Sequence, residues 1–131
     1  MDAVLAPHRC YYNSLKSLFG SKELVGLAHI TGGGIGENLN RILPEGLGAH
    51  IDLDAVKVLP IFKLLKKYGS VDDADMLRTF NMGVGITAVV RKSFADKAIA
   101  HLKRRGVDAY PIGVIKKGRQ SVVFERALNW K

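Results

Sequence analysis

The residues best suited to chemistry fall in one stretch, Leu24 to Leu43, where a hydrophobic run meets His29, then four glycines within five residues, then a helical pattern. The order predicts a strand, a glycine loop and a helix N-terminus, with Val25, Leu27, Ala28 and Ile30 buried along the strand. Backbone N–H groups at such a junction, aided by the helix dipole, attract anions, and phosphate is the expected one. Gly32, Gly33, Gly34 and Gly36 would let the chain turn sharply and let a ligand approach bare backbone; the competing reading is a tight turn with no ligand. Two familiar nucleotide motifs do not fit. No Lys follows the glycines as a Walker loop requires, and Glu37 stands where a dinucleotide loop needs its last glycine.

A second glycine-bearing stretch runs from Phe80 to Val90. Gly83 and Gly85 lead into a β-branched run, so the expected element after them is a strand, and the glycines suit close approach by a neighbour or a ligand at its start. The acids Asp72, Asp73 and Asp75 are read with Ser70 as a capping box opening a helix, in preference to a cation site. Metal-ligand spacing is missing among His8, His29, His50, His101 and the single cysteine, Cys10, so no metal site is expected.

Positioning these stretches requires a frame, and the chain is long enough for one. At 131 residues, 47% hydrophobic and 24% charged, it suits a single domain over residues 1–131. No apolar run approaches the roughly 20 residues of a bilayer span, and the first residues lack the pattern of a secretory signal. With a lone cysteine, these features point to a cytoplasmic location and no membrane partner. The net charge of +8 is uneven: residues 1–50 carry four basic and four acidic side chains, residues 51–131 sixteen and eight. The basic runs at Lys103 to Arg105 and Lys116 to Arg119 sit at a helix end and a turn, without interleaved aromatics, so nucleic acid is not the expected partner.

In order, the pattern predicts an edge strand near Arg9 to Tyr12, a helix from Asn13 to Phe19, the strand up to Ile30, and a short helix Glu37 to Leu43 stopped by Pro44. A half-covered strand, His50 to Val56, precedes a helix from Pro60 to Tyr68 with Ile61, Leu64, Leu65 and Tyr68 inward and Lys63, Lys66 and Lys67 outward. The capped helix, the second glycine stretch and a helix from Phe94 to Arg105 follow. Strands at Val107 to Val114 and Ser121 to Glu125 close the chain as a hairpin around Lys116 to Gln120. The expected class is α+β (mixed α/β), with helices packed on a mixed β-sheet.

Two motifs, His29-Ile30-Thr31-Gly32-Gly33-Gly34 and Arg78-Thr79-Phe80-Asn81-Met82-Gly83-Val84-Gly85, taken with Asn38, Arg41 and Pro44, resemble the aminoimidazole ribonucleotide synthetase (phosphoribosylformylglycinamidine cyclo-ligase) family. The resemblance covers nearly the whole chain, from the entry Leu5 to Arg9 to the Ile112-Gly113 strand, and corresponds to the C-terminal domain only. It departs at Val56, where the family usually has Trp, and at Asn40, where it usually has Pro.

The resemblance implies an ATP-dependent enzyme of purine biosynthesis that phosphorylates the amide oxygen of formylglycinamidine ribonucleotide and closes the imidazole ring. It implies ATP and Mg2+ as cofactors of the whole enzyme, none held tightly by this domain alone. An N-terminal domain, without counterpart in this sequence, would supply most ATP-binding acids and a homodimer interface. The small-molecule ribonucleotide would lie between the two halves. On this reading Thr31, Gly32, Gly33, Gly34 and Gly36 hold phosphate oxygens. His29 is the catalytic candidate, as hydrogen-bond donor or proton-transfer group, or else a structural histidine. Asn38, Arg41, Asn81 and Gly83 are the further substrate or phosphate contacts, each with an ordinary structural alternative. The isolated domain is expected to be inactive, and the alternative reading is a free-standing, non-catalytic phosphate- or nucleotide-binding module with the same fold.

Overall fold

The computed structural model describes residues 6–131, which leaves Leu5 of the entry motif outside the described residues. The chain forms five α-helices among those residues: α1 (Tyr12–Leu15), α2 (Gly34–Asn40), α3 (Pro60–Gly69), α4 (Asp73–Thr79) and α5 (Ala95–Arg104). The strands are β1 (Leu24–His29), β2 (Leu47–Asp52), β3 (Ile86–Val90), β4 (Gly113–Lys117) and β5 (Val122–Glu125). Helices packed on mixed sheets make the class α+β, as expected.

The strands divide between two sheets. β1 pairs antiparallel with β3, and β2 lies between β4, antiparallel, and β5, parallel. The expected β4–β5 hairpin is therefore not formed. Both strands bond to β2 instead, where Ala49 and Ile51 lie buried at 0% and 3% exposure and gain a ladder on each side. Gly48 permits this insertion, since a Cβ there would stand 2.9 Å from the Arg119 carbonyl oxygen of the chain entering β5. Residues 107–112 are not a strand, and Pro111, lacking an N–H, could not donate to a ladder there.

The core gathers Ile30, Ile35, Met76 and Met82, all fully buried, with Leu39, Ala49 and Ile51 around them. It joins β1, α2, β2 and α4. Along β1 only alternate residues face this core: Ala28 is 4% exposed and Ile30 fully buried, whereas Val25 is 65% exposed. The expectation of a strand buried throughout fails because β1 belongs to a two-stranded sheet, covered on one face. The same alternation turns the side chain of His29 outward.

Several boundaries move for identifiable reasons. Arg9 to Tyr12 is not an edge strand: the Tyr11 carbonyl accepts from the Ser14 and Leu15 amides, starting α1, and the helix continues as a 3-10 turn over Lys16–Leu18. β2 starts earlier than expected and gives way to a 3-10 turn at Leu53–Ala55, after Asp52 accepts from the Asp54 amide. α2 begins at Gly34, three residues before Glu37, and ends at Asn40. Ser70 does not open α4; it ends α3 in the left-handed region, and Asp72 is the cap, accepting from the Asp75 amide at 2.8 Å. Helix α3 is rotated from expectation: Leu64, Leu65 and Tyr68 are exposed and Phe62, Lys63 and Lys66 are half-buried, while Ile61 is half-buried and Lys67 exposed as expected.

Candidate functional site

The glycine loop starts where β1 ends. The Ile30 amide donates to the Gly85 carbonyl at 3.0 Å, so the two glycine stretches meet at one end of the β1–β3 ribbon. Gly33 turns the chain with φ 92°, and the Gly34 amide closes the turn on the Thr31 carbonyl at 3.0 Å. Gly33 and Gly34 have a packing reason as well as a turning one, whereas a side chain at Gly36 would make only ordinary contact. A Cβ on Gly34 would run into the Leu77 carbonyl oxygen at the end of α4, one on Gly36 would meet the Phe124 ring at 3.4 Å, and one on Gly33 would lie 2.5 Å from Glu37 Oε2. Gly32 alone of the four faces open space, and with Thr31 it is exposed.

Asn38 holds this loop from beneath. Buried at 6% exposure, its Nδ2 donates to the carbonyls of Gly34 at 2.8 Å and Gly32 at 3.1 Å, with Thr31 at 3.4 Å. The carbonyls are drawn in toward one amide group. The N–H groups of Thr31, Gly32 and Gly33, by contrast, find no acceptor among the described residues. Three successive free donors beside a helix start can receive an oxyanion. Glu37 opposes that use, and Arg41 moderates it: Arg41 Nη2 lies 3.7 Å from Glu37 Oε2, and Nη1 lies 3.5 Å from Asn38 Oδ1.

His29 stands exposed at the mouth of the loop. Its Nε2 lies 2.8 Å from Nε2 of His8, with the rings edge-to-face at 4.5 Å between centroids, so one imidazole donates and the other accepts. Tyr11 follows, edge-on to His8 at 6.0 Å, and its hydroxyl fills the space where Gly85 lacks a Cβ. Neither His8 nor Tyr11 was marked by spacing. They reach the site because Arg9, donating to the Gly106 carbonyl at 2.7 Å, pins the entry segment across the fold.

The second stretch is tied into its own turn. Asn81 Oδ1 accepts from the Gly83 amide at 2.9 Å, and the Asn81 carbonyl accepts from Val84 at 2.8 Å. Between them Met82 sits at φ 57° with its side chain fully buried, an unusual backbone conformation for that residue. Gly83, at φ 104°, is approached by the Leu59 side chain, whose Cγ would lie 2.7 Å from a Cβ there. No three His, Cys, Asp or Glu side chains among the described residues stand together as a metal site. Among the described residues Glu37 is the one carboxylate at the loop, 3.7 Å from Arg41, and a single carboxylate is too few to make an Mg2+ site.

The family described as "AIR synthase related protein, C-terminal domain" matches residues 1–125. The chain belongs to this family. A phosphoribosylformylglycinamidine cyclo-ligase of Burkholderia lata is 44% identical over 119 residues, covering 91% of this chain and 34% of the relative. The protein of the same name from Caldicellulosiruptor saccharolyticus is 40% identical over 123 residues, 94% of this chain and 36% of the relative. That of Burkholderia cenocepacia is 43% identical over 119 residues, again 91% and 34%. The chain thus spans about a third of the length of the AIR synthase relatives it matches, and corresponds to their C-terminal part.

Of the candidate residues, the AIR synthase fold brings His29, Thr31, Gly32, Gly33, Gly34, Gly36, Asn38 and Arg41 into one loop-and-helix unit. The side chain of Asn38 points into that unit, and its amide is already engaged. Asn81 and Gly83 belong to an adjoining turn, linked to the unit through Gly85 and the end of α4. No helix among the described residues is long and apolar enough to cross a membrane.

Proposed function

We propose that the chain is the phosphate- and substrate-contacting half of an ATP-dependent cyclo-ligase that converts formylglycinamidine ribonucleotide to aminoimidazole ribonucleotide in purine biosynthesis. The observation that carries this reading is the run of amides at Thr31, Gly32 and Gly33 that find no acceptor among the described residues, beside His29 and braced by Asn38. In the reaction, ATP phosphorylates the formyl amide oxygen, the amidine nitrogen attacks that carbon, and ADP and phosphate leave. Charge gathers on phosphoryl oxygens, which fixed N–H donors stabilise without reorganising during the step.

In this reading the amides of Thr31 to Gly33 hold the phosphoryl oxygens, and Arg41 offsets the carboxylate of Glu37 so that the loop accepts an anion. His29 donates to the amide oxygen or phosphoryl group, or moves a proton, with His8 fixing the orientation of its ring. The acids that bind ATP and Mg2+ are assigned to the polypeptide that completes the enzyme, in the cytoplasm and as a homodimer. A non-catalytic module would use the same loop to bind phosphate or nucleotide and differ only in lacking turnover when completed.

The loop's part is tested by titrating inorganic phosphate while following backbone amide signals. Shifts centred on Thr31, Gly32 and Gly33, lost in Gly33→Asp while signals elsewhere stay unchanged, are expected. Unperturbed loop amides, or shifts centred on Lys116 to Arg119, would remove the cradle from the proposal.

A further inference from the structure

The excess charge of the chain is gathered on neighbouring segments. Residues 9–23 and 91–106 hold nine basic and two acidic side chains, a surplus of seven in a chain whose net charge is +8. Far apart in sequence, the two segments are joined in the fold. His101 of α5 lies 3.1 Å from the Ser17 hydroxyl and 3.2 Å from the Ser14 carbonyl, Arg9 donates to the Gly106 carbonyl at 2.7 Å, and Arg91 donates to the Lys22 carbonyl at 3.1 Å. All nine cations are exposed, and none forms an ion pair among the described residues. Where Arg9, Arg91 and Arg105 are hydrogen-bonded, the acceptor is a carbonyl or the His101 ring, which leaves their charge uncompensated.

Cations at a helix C-terminus complement its dipole, which accounts for Lys103 and Arg104 taken alone. It does not account for Lys16, Lys22, Arg91 or Lys92, which lie on the segments joined to α5, nor for Lys97 in its first turn, where the dipole disfavours a cation. Along the ten residues of α5, Ala98 is buried and Ile99 and Leu102 are half-buried, whereas Lys97, Lys103 and Arg104 are exposed. They form a basic ridge on a helix about 15 Å long at 1.5 Å per residue. Beside it, α1 and the turn that continues it supply the aromatics that the basic runs lack in sequence. Tyr12 and Phe19 are 61% and 47% exposed, with ring centroids 6.0 Å apart and Lys16 between them in the chain.

We propose that this face binds single-stranded nucleic acid, with Lys16, Lys97, Lys103 and Arg104 on the phosphates and Tyr12 and Phe19 stacked against exposed bases. A surplus of positive charge without acidic partners selects a polyanion. The two open rings select one with aromatic faces to offer, and a single strand over a duplex, whose bases are already stacked on each other. A bilayer is the poorer fit, because an interfacial helix lays an apolar face in the membrane and α5 keeps its own against the domain. The face uses no residue of the glycine loop, so the inference is independent of the reaction proposed above.

The test follows the fluorescence anisotropy of a labelled oligo(dT) of about twenty nucleotides, long enough for at least one site, as the 131-residue chain is added. With about four phosphates neutralised, binding should weaken roughly fiftyfold between about 50 and 200 mM salt. Lys103→Glu with Arg104→Glu should weaken it at least about tenfold at low salt, and Tyr12→Ala with Phe19→Ala about tenfold with the salt dependence unchanged. Lys117→Glu with Arg119→Glu, an equal change of charge on the other sheet, should alter it less than about threefold, since charge beyond about 10 Å is screened at 0.1 M salt. All these side chains are exposed, so each variant should keep the thermal midpoint of the parent. The proposal is overturned by no binding at low salt, by a duplex of the same length bound as tightly as the single strand, or by equal losses from the two charge variants. Unchanged affinity without Tyr12 and Phe19 overturns it too. So does sedimentation with phosphatidylserine vesicles in place of oligonucleotide binding, which would make a membrane the partner.

Discussion

Asn38 offers a sharp test at the scale of a single residue, because one buried amide serves carbonyls at Gly34, Gly32 and Thr31. Removing it in Asn38→Ala leaves acceptors without their donor and should cost about 1–3 kcal/mol, read from the urea midpoint. Asn38→Asp should cost more, since a carboxylate would press further acceptors against the same oxygens; equal losses would show that the side chain fills space only. The glycines divide in the same way. Gly34→Ala meets backbone at Leu77 and should destabilise strongly, whereas Gly32→Ala meets nothing and should be tolerated unless the amide has a ligand to bind. From sequence, the cluster was legible as a loop, because glycine spacing is local. What Asn38 does was not, since its partners are fixed only once the carbonyls turn inward.

Among the elements, α4 shows how acids near a helix start divide between two jobs. Asp72 caps the helix, and Asp72→Ala should cost about 1 kcal/mol in thermal or chemical denaturation. Asp73 instead accepts from Lys66 and from Trp130 Nε1, at 3.2 Å for the indole; the Lys66 hydrogen bond, above all, holds its carboxyl below the ordinary value of 3.8. A lowered folded-state pKa means the unfolded chain takes up the proton first as acid is added. The stabilisation is therefore complete above the ordinary value and fades as the pH drops below 3.8 through the folded value. Asp73→Asn should flatten the acid limb of a stability–pH curve by less than about 1 kcal/mol, the pair being partly exposed. An unchanged acid limb would deny the pair that role. The sequence pattern marks these acids as helix-starting but points to Ser70 as the cap, because the turn that gives Ser70 to the end of α3 is set by packing. The direction of α3 was illegible for a related reason: periodicity finds an apolar stripe without saying which body covers it.

At the level of the whole molecule, the isolated chain should release no ADP with formylglycinamidine ribonucleotide, since the nucleotide and metal acids are assigned to the completing polypeptide. ADP release that depends on this substrate, from the purified chain, would refute that assignment. The α+β class was legible because segment types alternate along the sequence; the sheet order was not, because two short strands near a turn suit a hairpin until a third takes the space between them. That order has a kinetic side. β2 is complete at Asp52, yet its parallel neighbour begins at Val122, so a nascent chain must hold Ala49 and Ile51 unsheltered while some seventy residues follow. Contacts so distant along the chain slow folding and delay it until the residues of β5 have been made. Until β5 arrives, β2 carries an open edge able to recruit a foreign strand. Cells producing this chain would accordingly be expected to lean on holding chaperones, and a stop introduced before Val122 should send it to aggregation or proteolysis instead of a shortened native state.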